Sequence, residues 1–154
     1  MTELYEVSAV ESEIRERGSF ASVTKGVSMR PLFKTHRDMI VVSKIERPLK
    51  KYDIILYKGG EGAYILHRII GIKDGYFVVR GDNNYFKEKV TPDRIIGVLT
   101  AYNRKEKSGS PDSFSFKLYS RLWRYIYPFR FLTVKAKAFL SKVKNRLFKK
   151  CGKL

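Results

Sequence analysis

The sequence predicts a mainly β domain that is followed by a basic helical appendage. Short runs rich in Val, Ile and Tyr, separated by Gly, Pro, Asp and Asn, predict strands connected by hairpins. These runs do not alternate with helical segments, so a parallel βαβ sheet is not expected. Asp112 is the last acidic residue, and residues 113–154 contain 12 Lys and Arg residues. At 154 residues the chain has room for one domain with such an appendage.

The first predicted element is a helix over residues 3–17. Leu4, Val7, Val10 and Ile14 recur at spacings of three and four residues, which places them on one helical face. Gly18 follows directly, and glycine commonly ends a helix. A short helix is therefore expected before the strands.

Five strands are predicted after this helix, each a short β-rich run bounded by turn residues. Asp74-Gly75 lies between two apolar runs and is typical of a two-residue hairpin turn, so the flanking runs are expected to pair antiparallel. The predicted strands cover residues 39–45, 53–57, 64–72, 76–80 and 94–102.

A change in composition divides the chain. Residues 1–102 form the predicted β domain, and the polar residues 103–113, with their Ser, Gly and Pro, are typical of a linker. Residues 114–154 return to helical spacing, with one apolar stripe that Pro128 is expected to end and a second stripe after it. The first consists of Tyr119, Leu122, Trp123, Ile126 and Tyr127, and the second of Leu132, Ala136, Phe139, Leu140, Val143 and Leu147.

Most of the net charge belongs to this tail. The whole chain has a formal charge of +17, of which residues 113–154 carry +12 and residues 1–112 carry +5. A basic amphipathic helix with an aromatic apolar face is suited to an anionic membrane surface. A protein partner is the second interpretation. Nucleic acid, on whose bases the ten aromatic residues of the tail could stack, is the least favoured.

Composition also excludes several kinds of site. Cys151 is the only cysteine, so neither an intramolecular disulfide nor a cysteine-based zinc site is expected. The chain has two histidines, and no metal or other cofactor is predicted. The acidic N-terminus lacks the pattern of a signal peptide, and no apolar run is long enough to span a bilayer. We expect a cytoplasmic protein, with the tail as a means of peripheral attachment to the inner membrane face.

Four short segments carry the chemistry that the sequence indicates. In chain order they are Gly26-Val-Ser-Met-Arg-Pro31, Tyr52-Asp-Ile-Ile55, Leu66-His-Arg-Ile69 and Arg80-Gly-Asp-Asn-Asn84. Their order and spacing resemble the serine peptidases that group signal peptidase I with the LexA-like autoproteases. The resemblance covers about residues 19–100, and Tyr52 stands where the family usually has Gly. It implies a signal-peptidase-like antiparallel β domain.

The resemblance implies that Ser28 is a nucleophile and His67 its general base. A serine needs a neighbouring base, and an imidazole titrates near neutrality, whereas a lysine would have to be desolvated. His67 stands where many relatives have Lys, which resembles the archaeal and endoplasmic-reticulum branch of signal peptidase I. Asp82 is expected to orient the imidazole, and Glu88 is the alternative acid.

Gly26, Met29 and Pro31 are expected to shape the oxyanion side of the site. Signal peptidases often have a Ser two residues before the nucleophile, and its hydroxyl helps to bind the oxyanion. Gly26 has no hydroxyl, so backbone amides, that of Ser28 above all, are expected to replace it. The loss of one such donor can slow an enzyme by roughly 10²–10³. We therefore expect slow catalysis.

The predicted function is that of a serine endopeptidase that cleaves a leader or signal peptide from a peptide or protein substrate. Taken singly, Ser28, His67 and Asp82 also suit ordinary turns and strands, and it is their joint spacing that favours a peptidase site. One alternative is a peptidase-like module that binds an extended peptide by strand addition without cutting it. Another is a nucleic-acid-binding protein that acts through the tail.

Overall fold

The computed structural model of the chain describes residues 2–129, with side chains from residue 9 onward except at residue 61. Helix α1 (Thr2–Arg17) precedes the strands, and residues 114–129 form a second helix, α2. The strands are β1 (Ser19–Val23), β2 (Met39–Ser43), β3 (Ile54–Lys58), β4 (Tyr64–Lys73), β5 (Tyr76–Arg80), β6 (Glu88–Val90), β7 (Ile95–Arg104) and β8 (Lys107–Gly109).

All eight strands belong to one antiparallel sheet, which confirms the mainly β prediction. Its order is β1-β2-β7-β3-β4-β5-β6, and β8 pairs with the end of β7. The predicted hairpin is confirmed, because β4 and β5 pair antiparallel on either side of Asp74-Gly75. Gly75 has a φ of 78°, a conformation that glycine adopts without strain.

Three of the strands have no counterpart among the predicted ones. β6 and β8 have three residues each, and β1 (Ser-Phe-Ala-Ser-Val) is rich in small residues. Such segments lack a pattern of their own and become strands by pairing with longer neighbours. β1 pairs with β2, β6 with β5 and β8 with β7.

A compact apolar cluster lies on one face of strands β3 to β7. It consists of Ile55, Tyr57, Ile69, Val79, Val90 and Val98. Tyr57 is completely buried, so its hydroxyl needs a hydrogen-bond partner inside the protein. The candidate site lies against this cluster.

The predicted helix over residues 3–17 is confirmed by α1, and polar contacts hold it to the sheet. Glu11 accepts a hydrogen bond from the Tyr64 hydroxyl at 2.7 Å and forms an ion pair with Lys58 at 2.6 Å. The hydrogen bond with Lys58 is the main reason that the pKa of Glu11 is lowered. Ile14 is buried and adds an apolar contact from the same helix.

The expected linker over residues 103–113 is different in the structure. Residues 103–109 form the end of β7, a turn and strand β8, because the backbone of this polar segment pairs with itself. Phe116 is buried against Tyr102, with ring centroids 5.5 Å apart, so the start of α2 also belongs to the β unit. Contacts divide the chain between Leu118 and Tyr119 instead.

The second unit is described from Tyr119 to residue 129. It is helical throughout this range, and Tyr119 stacks on Trp123 with centroids 5.6 Å apart. Pro128 was expected to end the apolar stripe before it, but it is itself helical, and the helix extends at least to residue 129, the last described residue. The second predicted stripe, from Leu132 to Leu147, and Cys151 lie outside the described residues. No helix in the described range is long and apolar enough to cross a membrane.

Candidate active site

Ser28 lies in the loop that connects β1 to β2, and its side chain is half-buried. Met29, the next residue, is buried, which anchors the loop in the apolar interior beside the candidate nucleophile. Gly26 has a φ of 75°, in the left-handed region that favours glycine, and its carbonyl accepts a hydrogen bond from the Thr35 hydroxyl. Pro31 is exposed on the far side of Met29, after a cis peptide bond. The structure therefore places Gly26, Ser28, Met29 and Pro31 in one tight loop.

Asp38 organises the base of this loop. Its fully buried carboxylate accepts hydrogen bonds from the Arg37 side chain and from the backbone amides of Lys34 and Lys105. Burial alone would raise the pKa of Asp38, but these hydrogen bonds outweigh it and hold the pKa below its ordinary value. The sequence analysis did not identify Asp38. The available signal was an acidic side chain directly before an apolar strand.

His67 lies on β4 with its side chain buried on the face of the apolar cluster. Its Cα partner on β3 is Ile55, and Tyr57 is therefore its diagonal neighbour on the same face. The rings of Tyr57 and His67 have centroids 5.9 Å apart. The register of one hairpin thus places a tyrosine hydroxyl beside the imidazole.

Glu88 and Tyr57 contact one nitrogen of the His67 ring. The Tyr57 hydroxyl lies 3.0 Å from Nδ1 and donates its proton to Glu88 Oε2 at 2.8 Å, while Glu88 Oε1 lies 3.2 Å from Nδ1. Since the single hydroxyl proton points at the carboxylate, both oxygens near Nδ1 act as acceptors. We infer that Nδ1 carries the proton of the neutral ring and that Nε2 carries the lone pair.

Asp82, the acid that the sequence placed first, is paired elsewhere. Its two carboxylate oxygens accept hydrogen bonds of 2.8 Å from Nε and Nη2 of Arg68, and both side chains are buried. Consecutive residues of a strand point to opposite faces, so the partner of Arg68 lies on the other side of β4 from His67. Glu88 faces the imidazole because its Cα partner is Val79, a member of the apolar cluster. Glu88, the alternative acid, lies in direct contact with the ring.

The electrostatics of the site favour a neutral imidazole. Burial lowers the pKa of His67, and the negative charges of Glu88 and Asp82 oppose this shift without cancelling it. The pKa of Tyr57 is raised, first by burial and then by its hydrogen bond to Glu88, so its hydroxyl stays protonated. At neutral pH the ring is thus unprotonated at Nε2 and available as a base.

Gly81 is the point at which the Ser28 loop and the imidazole meet. A Cβ atom at this position would lie 2.7 Å from the Ser28 carbonyl oxygen and 2.9 Å from His67 Nε2. Both distances are shorter than real Cβ contacts, so only a glycine fits between them. His67 Nε2 and the Ser28 backbone therefore lie on either side of Gly81.

The residues that follow Gly81 contact both the Ser28 loop and the His67 ring. The Asn83 amide donates a hydrogen bond of 2.7 Å to the Ser28 carbonyl, and its side chain reaches the Val27 carbonyl at 3.3 Å. Asn84 Nδ2 lies 3.4 Å from His67 Nε2, as expected for a donor facing a lone pair. The Gly-Asp-Asn-Asn segment thus touches the nucleophile loop, the base and Arg68 through successive residues.

Tyr52 adopts a backbone conformation that suits glycine, the residue that the resembled family usually has there. Its φ is 81°, in the left-handed region that is costly for a side chain with a Cβ. The conformation is held at both ends, because the Tyr52 amide donates to the Ile69 carbonyl at 2.8 Å and its carbonyl accepts from Arg68 Nη1 at 3.2 Å. Tyr52 thereby supports the guanidinium that binds Asp82.

Sequence reasoning missed the roles of Tyr57 and Arg68. The signal for Tyr57 was a tyrosine inside a wholly apolar strand, where a buried hydroxyl needs a partner. The signal for Arg68 was a cation next to His67 in a strand, where it has to be paired if buried. His36, the second histidine, is exposed in the loop before β2. The described residues contain no group of three or more His, Cys, Asp or Glu side chains that could hold a metal ion.

Comparison with known proteins adds no assignment to this geometry, since neither a protein-family model nor a curated protein matches the sequence.

Proposed function

We propose that the protein is a serine endopeptidase in which Ser28 is the nucleophile and His67 the general base. The observation that carries the proposal is that His67 Nε2 and the backbone of Ser28 both lie beside Gly81, within 3 Å of the position that a Cβ atom there would occupy. Burial lowers the pKa of His67, which favours the neutral form that a general base needs. The four sequence segments that resemble signal peptidase I supply the nucleophile, the base and the loop between them. The glycine-like backbone of Tyr52 supports the same resemblance.

In the proposed reaction, the Ser28 hydroxyl attacks the scissile carbonyl while His67 Nε2 accepts its proton. The imidazolium then donates this proton to the leaving amine, which departs and leaves an acyl-enzyme. A water molecule then gives up a proton to Nε2 and attacks the ester, and the imidazolium returns that proton to the Ser28 oxygen as the second product leaves. Glu88 and Tyr57 hold the Nδ1 proton in place and stabilise the imidazolium in both half-reactions.

Backbone amides would stabilise the oxyanion. The Ser28 amide donates no hydrogen bond to another residue in the described part of the chain, so it is available to an oxyanion at its own side chain. Gly26 supplies no hydroxyl, which is consistent with an enzyme slower by roughly 10²–10³ than one with the additional donor.

We further propose a leader or signal peptide as the substrate segment and a cytoplasmic location, with peripheral attachment at the inner membrane face. The substrate class rests on the resemblance, and the location rests on the basic tail.

A serine-directed acylating probe tests the enzyme reading directly. We expect mass spectrometry to find the adduct on Ser28 and Ser28→Ala to abolish it. His67→Ala should slow the labelling by roughly 10²–10⁴, the usual contribution of a general base. Ser22→Ala and His36→Ala are the matched controls, since they replace the same residue types outside the site. An unlabelled protein, or equal labelling in the site variants and their controls, would retire the proposal.

A peptide-binding module without catalytic activity is the second candidate, and the missing hydroxyl at Gly26 is the observation that favours it. An exposed strand edge can bind an extended peptide through backbone hydrogen bonds alone. This candidate predicts saturable binding of a leader-type peptide, equal affinity in Ser28→Ala and no labelling by the acylating probe.

A further inference from the structure

Helix α2 presents an apolar stripe to solvent within the second unit. Leu122, Tyr125, Ile126 and Phe129 recur at spacings of three, one and three residues, which places all four on one helical face. Their side chains are 50%, 73%, 46% and 71% exposed, respectively. Four large apolar side chains in contiguous positions form a patch of the kind that marks an interaction surface.

Cations accompany this stripe, and acids are missing from it. At 100° per residue, position 121 lies on the flank of the helix beside the stripe and position 124 lies on the opposite side, and both Arg121 and Arg124 are exposed. The sequence from Ser113 onward contains no Asp or Glu and carries +12. An apolar face on a segment of high net positive charge is complementary to a bilayer, which has an apolar interior and, with anionic lipids, a negatively charged surface.

We propose that the stripe of Leu122, Tyr125, Ile126 and Phe129 inserts into the interfacial region of an anionic lipid bilayer, with Arg121 beside the lipid phosphates. An amphipathic helix of this kind lies in the plane of the membrane and buries its apolar face at the boundary between head groups and acyl chains. Tyr125 suits this depth because its ring is apolar and its hydroxyl stays hydrated. The proposal does not depend on the peptidase reading.

Charge complementarity favours the bilayer over the other possible partners. A nucleic acid would be bound through phosphate contacts and would leave the apolar stripe in water. A protein groove could cover the stripe, but a tail with +12 and no acidic residue would then require a strongly acidic partner. An anionic bilayer accommodates the stripe and the charge together.

The test measures the partition of the full-length protein onto vesicles. We expect strong sedimentation with vesicles of equal parts phosphatidylglycerol and phosphatidylcholine and weak sedimentation with phosphatidylcholine alone. The double variant Leu122→Gln/Ile126→Gln keeps good helix formers at both positions and should lower the partition constant about tenfold or more, since two side chains no longer insert. Ile72→Gln is the matched control, because Ile72 is also 50% exposed but lies on the β domain. It should bind like the unaltered protein.

Trp123, the only tryptophan of the chain, supplies a second readout on the same helix. Brominated lipids should quench its fluorescence in the unaltered protein and much less in the double variant. Equal partition of the double variant and Ile72→Gln would overturn the proposal, as would equal binding to neutral vesicles. Duplex DNA that displaces the protein from anionic vesicles, with no effect of the double variant, would assign the tail to nucleic acid instead. Labelling of Ser28 in all of these variants reports separately on the peptidase proposal.

Discussion

Gly81 lies between the backbone of the Ser28 loop and the His67 ring. A methyl group at this position would lie within 3 Å of the Ser28 carbonyl oxygen and of His67 Nε2, and the carbonyl belongs to backbone that cannot rotate away. Gly81→Ala should therefore push the imidazole away from the nucleophile loop. A displacement of about 1 Å can cost roughly 10²-fold in rate.

We expect acylation of Ser28 in Gly81→Ala to be slower by about this factor. Gly71→Ala is the matched control, because a Cβ there would meet Val78 at an ordinary 3.6 Å. Thermal unfolding of both variants shows whether slower labelling comes from unfolding of the protein or from displacement of the imidazole in a folded protein. Undiminished labelling of a folded Gly81→Ala protein would count against the proposed arrangement.

The contacts of Glu88 with His67 and Tyr57 predict what removal of the Glu88 charge does to the His67 ring proton and to the labelling of Ser28. Glu88→Gln keeps the shape, but its amide can donate to Nδ1 and shift the ring proton to Nε2. We expect labelling of Ser28 to fall by roughly 10²–10⁴. Asp93→Asn, which changes an exposed acid in the turn after β6, is the control.

The pH dependence of this variant has a definite sign. His67 acts as a base only when neutral, so labelling rises with pH through a pKa that lies below the ordinary 6.5. The Glu88 charge raises that pKa, and its removal should move the acid limb of the residual activity to lower pH. An acid limb that stays in place would show that Glu88 does not act on the ring.

At the scale of elements, the Arg68–Asp82 pair joins β4 to the loop after β5. Both side chains are buried and form two hydrogen bonds of 2.8 Å. Arg68→Met would leave the Asp82 carboxylate buried without its cation, which costs about 3–5 kcal/mol of unfolding free energy. The double variant Arg68→Met/Asp82→Asn should lose less than the sum of the two single losses, because no unpaired charge remains.

Urea unfolding of the four proteins measures this coupling. The Arg68 guanidinium also lies 5.5 Å from the ring centroid of Phe116, so the start of α2 is part of the environment of the pair. Additivity of the two single losses to within about 0.5 kcal/mol would mean that the pair does not act as a unit.

The elements that could be predicted were those with a strong pattern of their own. The β-rich runs on either side of Asp74-Gly75 predict the hairpin over residues 64–80, and β4 and β5 confirm it. The polar composition of residues 103–113 predicts a linker, yet residues 103–109 pair as the end of β7 and β8. Its strand character comes from the backbone hydrogen bonds of a partner, which composition does not encode.

For the whole molecule, the burial of a neutral His67 makes stability depend on pH. The folded-state pKa is lowered, so between that value and about 6.5 the unfolded chain binds the proton more readily than the folded protein does. The unfolding free energy should therefore fall as pH falls below about 7, by at most about 1.4 kcal/mol per pH unit for this one group.

Urea unfolding at several pH values between neutral and mildly acidic conditions measures this slope, with His67→Gln as the comparison. The substitution removes the titrating group, so the loss of stability in this range should become shallower. A slope that is the same in both proteins would assign the acid sensitivity to other groups.

The sequence by itself determined the mainly β class and the division of charge between the two parts of the chain, because these depend on composition and periodicity, which are local properties. The candidate pair of Ser28 and His67 is what the resemblance of four sequence segments to signal peptidase I implies. Only the tertiary structure decided which acid contacts the imidazole. Residues 67 and 68 point to opposite faces of β4, and strand pairing brings Glu88 to the first face while the loop after β5 brings Asp82 to the second. The separation of two residues along the chain does not determine whether they lie on the same face of a sheet.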